Sequence, residues 1–321
     1  MRILVTGSNG FVGTRLVRLL AAEPEMGVRA AVRHGVHQAQ QGIETVAVGP
    51  SLENSNWETA VAGVDVVVHL AARVHVMRDT HADPLQSFRR VNVEGTMRLA
   101  HAAAAAGVRR FVYVSSVKVN GEVTLPGRPY RPNDTPSPVD PYGLSKQEAE
   151  QALRSFAGTV GMECVVVRPP LVYGPGVRAN FRSLLAWLDR GIPLPFGAID
   201  NRRSLVGLDN LCSLLIACAG HPHAAGHTFL VSDGEDVSTT ELLRRLGTAL
   251  ARPARLLPVP QRALSLALAA LGKRDISQRL FGSLQVDIDE TKTVLGWSPP
   301  LTLDEGLRKA ANAYRLERAS P

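Results

Sequence analysis

The chain begins with a strand-like run, Arg2-Ile3-Leu4-Val5-Thr6, that feeds directly into Gly7-Ser8-Asn9-Gly10-Phe11-Val12-Gly13 and then into an amphipathic stretch reaching Ala22. A glycine loop between a strand and a helix leaves few architectures open. Gly7 permits the tight turn, Gly10 lets backbone approach a pyrophosphate, and Gly13 lets the helix lie close to the sheet. The first turn of such a helix offers unpaired N–H groups and a partial positive charge to phosphates. Gly7, Asn9, Gly10, Phe11, Val12 and Gly13 are therefore candidate contacts to a dinucleotide.

Short apolar runs and helical stretches alternate beyond this loop. Strands are expected at Val28–Val32, Glu44–Val48, Val64–Leu70, Phe111–Ser115 and Met162–Arg168. Long helices are expected from Asp83, with Pro84 in the first turn, to Gly107, and from Tyr142 to Phe156. The near-continuous apolar run Val64–Leu70 suits a parallel strand covered on both faces. The expected fold class is α/β, a doubly wound parallel sheet of Rossmann type with a smaller mixed C-terminal substrate-binding domain. Residues 1–170 form the first unit and 171–321 the second, because Pro and Gly become frequent after Pro169; part of 204–219 is expected to return to the sheet.

Composition removes several function classes. Apolar residues make up 45% and charged residues 20%, ordinary globular usage, and no apolar stretch approaches the ~20 residues of a membrane span. Met1 to Gly7 shows no signal-peptide pattern, so a cytoplasmic location is expected. The three cysteines form no C-x-x-C pair, and His221, His223 and His227 lie in a Pro/Gly loop without an H-E-x-x-H pattern, so no metal is expected. The net charge of +7 is scattered, with no run of five like charges, which argues against a nucleic-acid partner and suits phosphate-bearing ligands.

Arg33 stands at the end of the second strand, where NAD sites commonly carry a carboxylate for the ribose 2′-OH. A guanidinium pairs instead with a 2′-phosphate, so the chemistry favours NADP(H), with NAD(H) the alternative. Further along, Tyr142 and Lys146 sit four residues apart on one helix face. Bringing a phenol from pKa ~10 to near 7 takes about 4 kcal/mol. An ammonium about 4 Å away in an effective dielectric of ~20 supplies that much. Ser115 and Ser116 end the strand Phe111–Ser115, at the sheet edge where ligands bind, and a hydroxyl there can hold the oxygen whose proton Tyr142 exchanges.

These residues, with His69-Leu70-Ala71-Ala72, Asn92-Val93-Glu94-Gly95-Thr96 and Arg168-Pro169-Pro170-Leu171-Val172-Tyr173-Gly174-Pro175-Gly176, resemble the extended short-chain dehydrogenase/reductase family over nearly the whole chain. The resemblance implies catalysis by Ser116, Tyr142 and Lys146. It implies cofactor contacts at Leu70, Ala71, Ala72, Asn92, Ser115, Tyr142, Lys146 and Pro169, besides the glycine loop and Arg33. It also implies nucleotide-sugar contacts at Asn180, Phe196 and Arg203, and more weakly at Arg279.

Two departures from the epimerase pattern lie toward the substrate side: Ser116-Val117-Lys118-Val119-Asn120-Gly121, and the segment Arg73-Val74-His75-Val76-Met77. They add Arg73 and Lys118 as substrate candidates, with His75 and Met77 in the same region. The combination looks most like ketoreductases acting on UDP-4-keto-6-deoxy-N-acetylhexosamines. The alternative is a UDP-glucose or UDP-GlcNAc 4-epimerase that retains NAD, and the remote one a non-catalytic dinucleotide sensor. The family also implies a homodimer, formed through the helices Asp83–Gly107 and Tyr142–Phe156.

Overall fold

The computed structural model describes residues 1–33, 42–74, 83–125, 127–270 and 280–319. Seven parallel strands form the main sheet: β1 (Arg2–Thr6), β2 (Gly27–Val32), β3 (Ile43–Ala47), β4 (Val66–His69), β5 (Arg110–Val114), β6 (Glu163–Arg168) and, after two strands of a second sheet, β9 (Thr228–Leu230). Their spatial order is β3-β2-β1-β4-β5-β6-β9. The order reverses beside β1, which leaves a crevice at the carboxyl edge between β1 and β4. The second sheet is β7 (Leu171–Tyr173), β8 (Arg203–Gly207) and β10 (Asp236–Val237), in the order β10-β8-β7.

Each face of the main sheet is covered by helices, which is why the central strands are apolar on both sides. Helices Phe11–Ala21 and Leu208–Gly220 close one face around Ile3, Val5, Leu16, Leu211 and Leu215. The helices between Pro84 and Ala105, with Pro141–Val160, close the other around Leu4, Val67, Leu99, Phe111 and Leu153. A third core, built on Phe181, Leu243 and Leu307, lies under the small sheet.

One expectation needs correction. The stretch Asp83–Gly107 is not one regular helix: it runs Pro84–Arg89, then a π-helical turn at Arg90–Glu94, then Gly95–Ala105. The wide turn carries Asn92, whose amide donates to the Arg73 carbonyl and the Ser145 hydroxyl, both at 3.0 Å, while its oxygen accepts from the Arg73 N–H at 2.8 Å. π turns inside helices are concentrated at functional sites. In addition, the seventh strand comes from residues 228–230, which the sequence did not mark as a strand. Three residues show no usable period, and their place is set by pairing with β6.

Candidate active site

The crevice begins at the glycine loop. Gly7 has φ +65°, and a Cβ there would stand 2.9 Å from the Ala71 nitrogen. A Cβ on Gly13 would come within 2.1 Å of the Gly7 carbonyl oxygen, and one on Gly10 within 3.0 Å of the same atom. Gly10 occupies the cap position of helix Phe11–Ala21 with no side-chain hydrogen bond across the helix end. The first-turn N–H groups are therefore not capped by a side chain, the arrangement a pyrophosphate needs. Leu70, Ala71 and Ala72 follow β4 at the same edge, and Leu70 and Ala71 donate their N–H groups to the Thr6 hydroxyl at 3.2 Å. Arg33 follows β2 and is exposed.

His69 is fully buried between two hydroxyls, its Nδ1 2.7 Å from Thr6 Oγ1 and its Nε2 3.0 Å from Thr96 Oγ1. Burial, and then the Lys146 ammonium, push its pKa down to about 3, so it stays neutral.

Tyr142 and Lys146 lie in the first turns of helix Pro141–Val160. The helix starts where it does because Asp140 caps it, accepting from the Gly143 N–H at 2.7 Å, and Pro141 needs no hydrogen-bond partner in the first turn. Lys146 donates from Nζ to the Val114 carbonyl at 2.7 Å and hangs over the Tyr113 ring. Ser116 follows β5 beside the phenol. Ser115, just before it, is buried, and its hydroxyl has no hydrogen-bond partner. Pro169 follows β6, and its carbonyl accepts from the Val117 N–H at 3.0 Å. The fold thus brings the glycine loop, Leu70 to Ala72, Asn92, Ser115, Ser116, Tyr142, Lys146 and Pro169 to one sheet edge.

The electrostatics differ from the sequence arithmetic. Burial, followed by the Asp140 carboxylate, pushes the Tyr142 phenol up to about 12, with the Ser116 hydroxyl pulling the other way. Burial pulls the Lys146 ammonium down to about 7, opposed by Glu150. The expectation of a phenol near 7 omitted the desolvation of both groups. At neutral pH the phenol holds its proton.

The substrate candidates are more dispersed. Lys118 ion-pairs with Glu122 at 2.7 Å and also with Asp140, so it braces the helix cap. The Arg73 guanidinium lies 5.6 Å from the Phe88 ring centre, and Phe88 meets the Tyr142 ring edge-on at 6.0 Å. Arg203 donates to the Gly282 carbonyl at 3.1 Å, Phe196 is half-buried 6.3 Å from Phe281, and Asn180 is exposed. Arg279, His75 and Met77 fall outside the described residues.

Several neighbours escaped sequence reasoning: Phe88, the His69–Thr96 contact, and the buried pair of Glu150 with Arg168. Only Glu150 left a signal, its four-residue step from Lys146. Among the described residues no helix is long and apolar enough to cross a membrane.

Comparison with known proteins gives the following matches. Residues 3–232 match the model of the NAD dependent epimerase/dehydratase family. The chain is 50% identical to a UDP-glucose 4-epimerase of Vibrio cholerae over 313 residues, covering 97% of this chain and 95% of that one. It is 30% identical to a UDP-glucose 4-epimerase of Mycolicibacterium smegmatis over 333 residues, covering 98% and 99%. The UDP-glucuronic acid 4-epimerase of Bacillus cereus, solved in complex with NAD, superposes with a TM-score of 0.79 at 21% identity, covering 98% of this chain and 96% of that one, a likeness of fold.

Proposed function

Since the chain belongs to the NAD dependent epimerase/dehydratase family, we propose that it is a UDP-hexose 4-epimerase, interconverting UDP-glucose and its galactose epimer with a retained NAD. The observation that carries this reading is the 50% identity, over nearly the full length of both chains, to a protein named for that reaction. The departures at residues 116–121 and 73–77 point to a 4-ketoreductase, with the epimerase the alternative; this relative favours the epimerase. NADP(H) yields to NAD for the same reason, and exposed Arg33 serves as an adenosine-side contact.

The glycine cradle and the helix start at Gly10 fit a dinucleotide pyrophosphate, because any side chain at Gly13 would close that approach. NAD, when bound, would supply the hydride acceptor for oxidation at sugar C4 and the hydride donor for its reduction from the opposite face. The chain's own residues manage the proton. Tyr142 Oη takes the proton of the C4 hydroxyl during oxidation and gives it back during reduction. Ser116 hydrogen-bonds the same sugar oxygen and holds it against the phenol. Lys146 supplies the positive charge that makes the phenolate accessible.

The two halves of the cycle place unequal demands on the site. Returning the proton suits a phenol that is neutral at pH 7, as Tyr142 is. Taking the proton requires Lys146 in its ammonium form, the form that burial disfavours.

On the substrate side, Arg203 and Asn180 serve the diphosphate and Phe196 the base; Arg203 suits this role because a guanidinium can bind phosphate in bidentate fashion. A homodimer would use the outer faces of the helix pair that carries His101 and Phe156, whose rings meet at 4.1 Å. Leu99 is fully buried within the chain and is no part of such a face. Purified protein given UDP-glucose and no added cofactor is expected to form UDP-galactose; strict dependence on added NADPH with a 4-keto sugar nucleotide would instead restore the ketoreductase reading.

A further inference from the structure

One helical turn beyond Lys146, on the same face, Glu150 is locked in a buried two-point ion pair with Arg168 at the end of β6, with contacts of 3.0 and 2.6 Å. Both side chains are nearly inaccessible, at 4% for Glu150 and 6% for Arg168. The guanidinium is held from its far side as well, donating to Asn120 Oδ1 at 3.0 Å and to the Pro132 carbonyl at 3.3 Å. A buried ion pair is a poor way to gain stability, since desolvation offsets most of the attraction. Its position one turn from Lys146 calls for another explanation.

The groups around Lys146 supply it. From β4 it faces His69, which is neutral; from β5 it faces the Tyr113 ring, whose phenol is raised well above its ordinary value by burial and is also neutral. On its own helix the neutral Tyr142 lies one turn before it and Glu150 one turn after, and of these Glu150 carries the charge that acts on it. Asp140 acts on Tyr142 and is paired with Lys118. Glu150 is thus the anion that acts on the Lys146 ammonium, and Arg168, beyond it on β6, fixes where that anion stands.

We propose that Glu150, held in place by Arg168, is the positioning residue that keeps Lys146 in its ammonium form and so lets Tyr142 accept the sugar's proton. This rests on the epimerase reading for its consequence, but not for its measurement. At one helical turn the attraction is strong enough in a partly desolvated setting to move the lysine by about one pH unit.

The test follows the ε-methylene NMR signal of Lys146 through a pH titration, with the signal assigned by its loss in Lys146→Met, alongside the pH–rate profile for UDP-glucose. Three proteins are compared: wild type, Glu150→Gln, and the double variant Glu150→Gln/Arg168→Met, which removes the stranded guanidinium and keeps the site folded if the single variant does not. Lys146 is expected to titrate lowest in Glu150→Gln, where Arg168 is left unpaired, and intermediate in the double variant. The alkaline limb of the rate is expected to move down in the same order by about one unit. A purely architectural pair gives a different result: the double variant, relieved of its unpaired charge, titrates as wild type does. That result would overturn the proposal, as would failure of the double variant to fold. A shifted lysine signal in a protein inactive on UDP-glucose would leave the proposal standing and count against the epimerase reading.

Discussion

The ammonium of Lys146 stands 4.2 Å from the centre of the Tyr113 ring, inside a core from which water is excluded. The Tyr113 ring and the Val114 carbonyl replace part of its lost hydration, and the residual cost appears as a pKa near 7 in place of 10.5. Between those two values the unfolded chain binds more protons than the folded one, so stability rises with pH across that window. Below it the cost is fully present. Lys146→Met is therefore expected to melt higher than wild type at about pH 6, with the gap closing toward about pH 10. Thermal unfolding across that range measures the gap directly.

A single methyl group is expected to close the cofactor cradle. The Cβ of Gly13→Ala would stand 2.1 Å from the Gly7 oxygen and 2.8 Å from two further backbone atoms, none of which belongs to a movable side chain. The loop must open to admit it. The variant should lose its bound dinucleotide and melt several degrees lower, as read by cofactor content after denaturation and by calorimetry.

What the sequence made legible was local. The strand–glycine–helix start, the Tyr142–Lys146 step and the cap-and-proline signal at Asp140-Pro141 all fall within one or two turns of chain, where spacing dictates geometry. Glu150 with Arg168, Lys118 with Asp140 and Phe88 against Tyr142 are pairings across 18, 22 and tens of residues, which no period records. The short strands β7, β9 and β10 were hidden for a related reason, because two or three residues hold no alternation. The direction of the Tyr142 shift was misjudged because charge can be read along a helix face, whereas desolvation depends on the whole surrounding fold.

Asp140 caps the helix, raises the Tyr142 phenol and ion-pairs with Lys118, and substitution separates the first of these from the other two. Asp140→Asn keeps an oxygen to cap the Gly143 N–H while removing the charge that raises the Tyr142 phenol. Stability should drop by at most about 1 kcal/mol with the lost Lys118 pair, and the ultraviolet titration of the Tyr142 phenolate, taken against a Tyr142→Phe background, should fall from about 12. Asp140→Ala should show the same fall and lose about 1 kcal/mol of stability as well.

Arg203 offers a test on the nucleotide side. Removing its guanidinium in Arg203→Met should raise KM for UDP-glucose by at least about tenfold, the scale of a lost charge-assisted contact to phosphate, and leave kcat within about threefold. Steady-state kinetics at saturating and limiting substrate distinguish this from a fall in kcat alone.

The most direct measurement concerns Tyr142. Wild type and Tyr142→Phe, each purified with its own cofactor, are given UDP-glucose alone, and the formation of UDP-galactose is followed together with the dinucleotide carried by each protein. The account predicts that wild type turns over without added cofactor, while the variant holds the same amount of NAD and turns over at least about a thousandfold more slowly. Comparable turnover by the variant at full NAD content would contradict it.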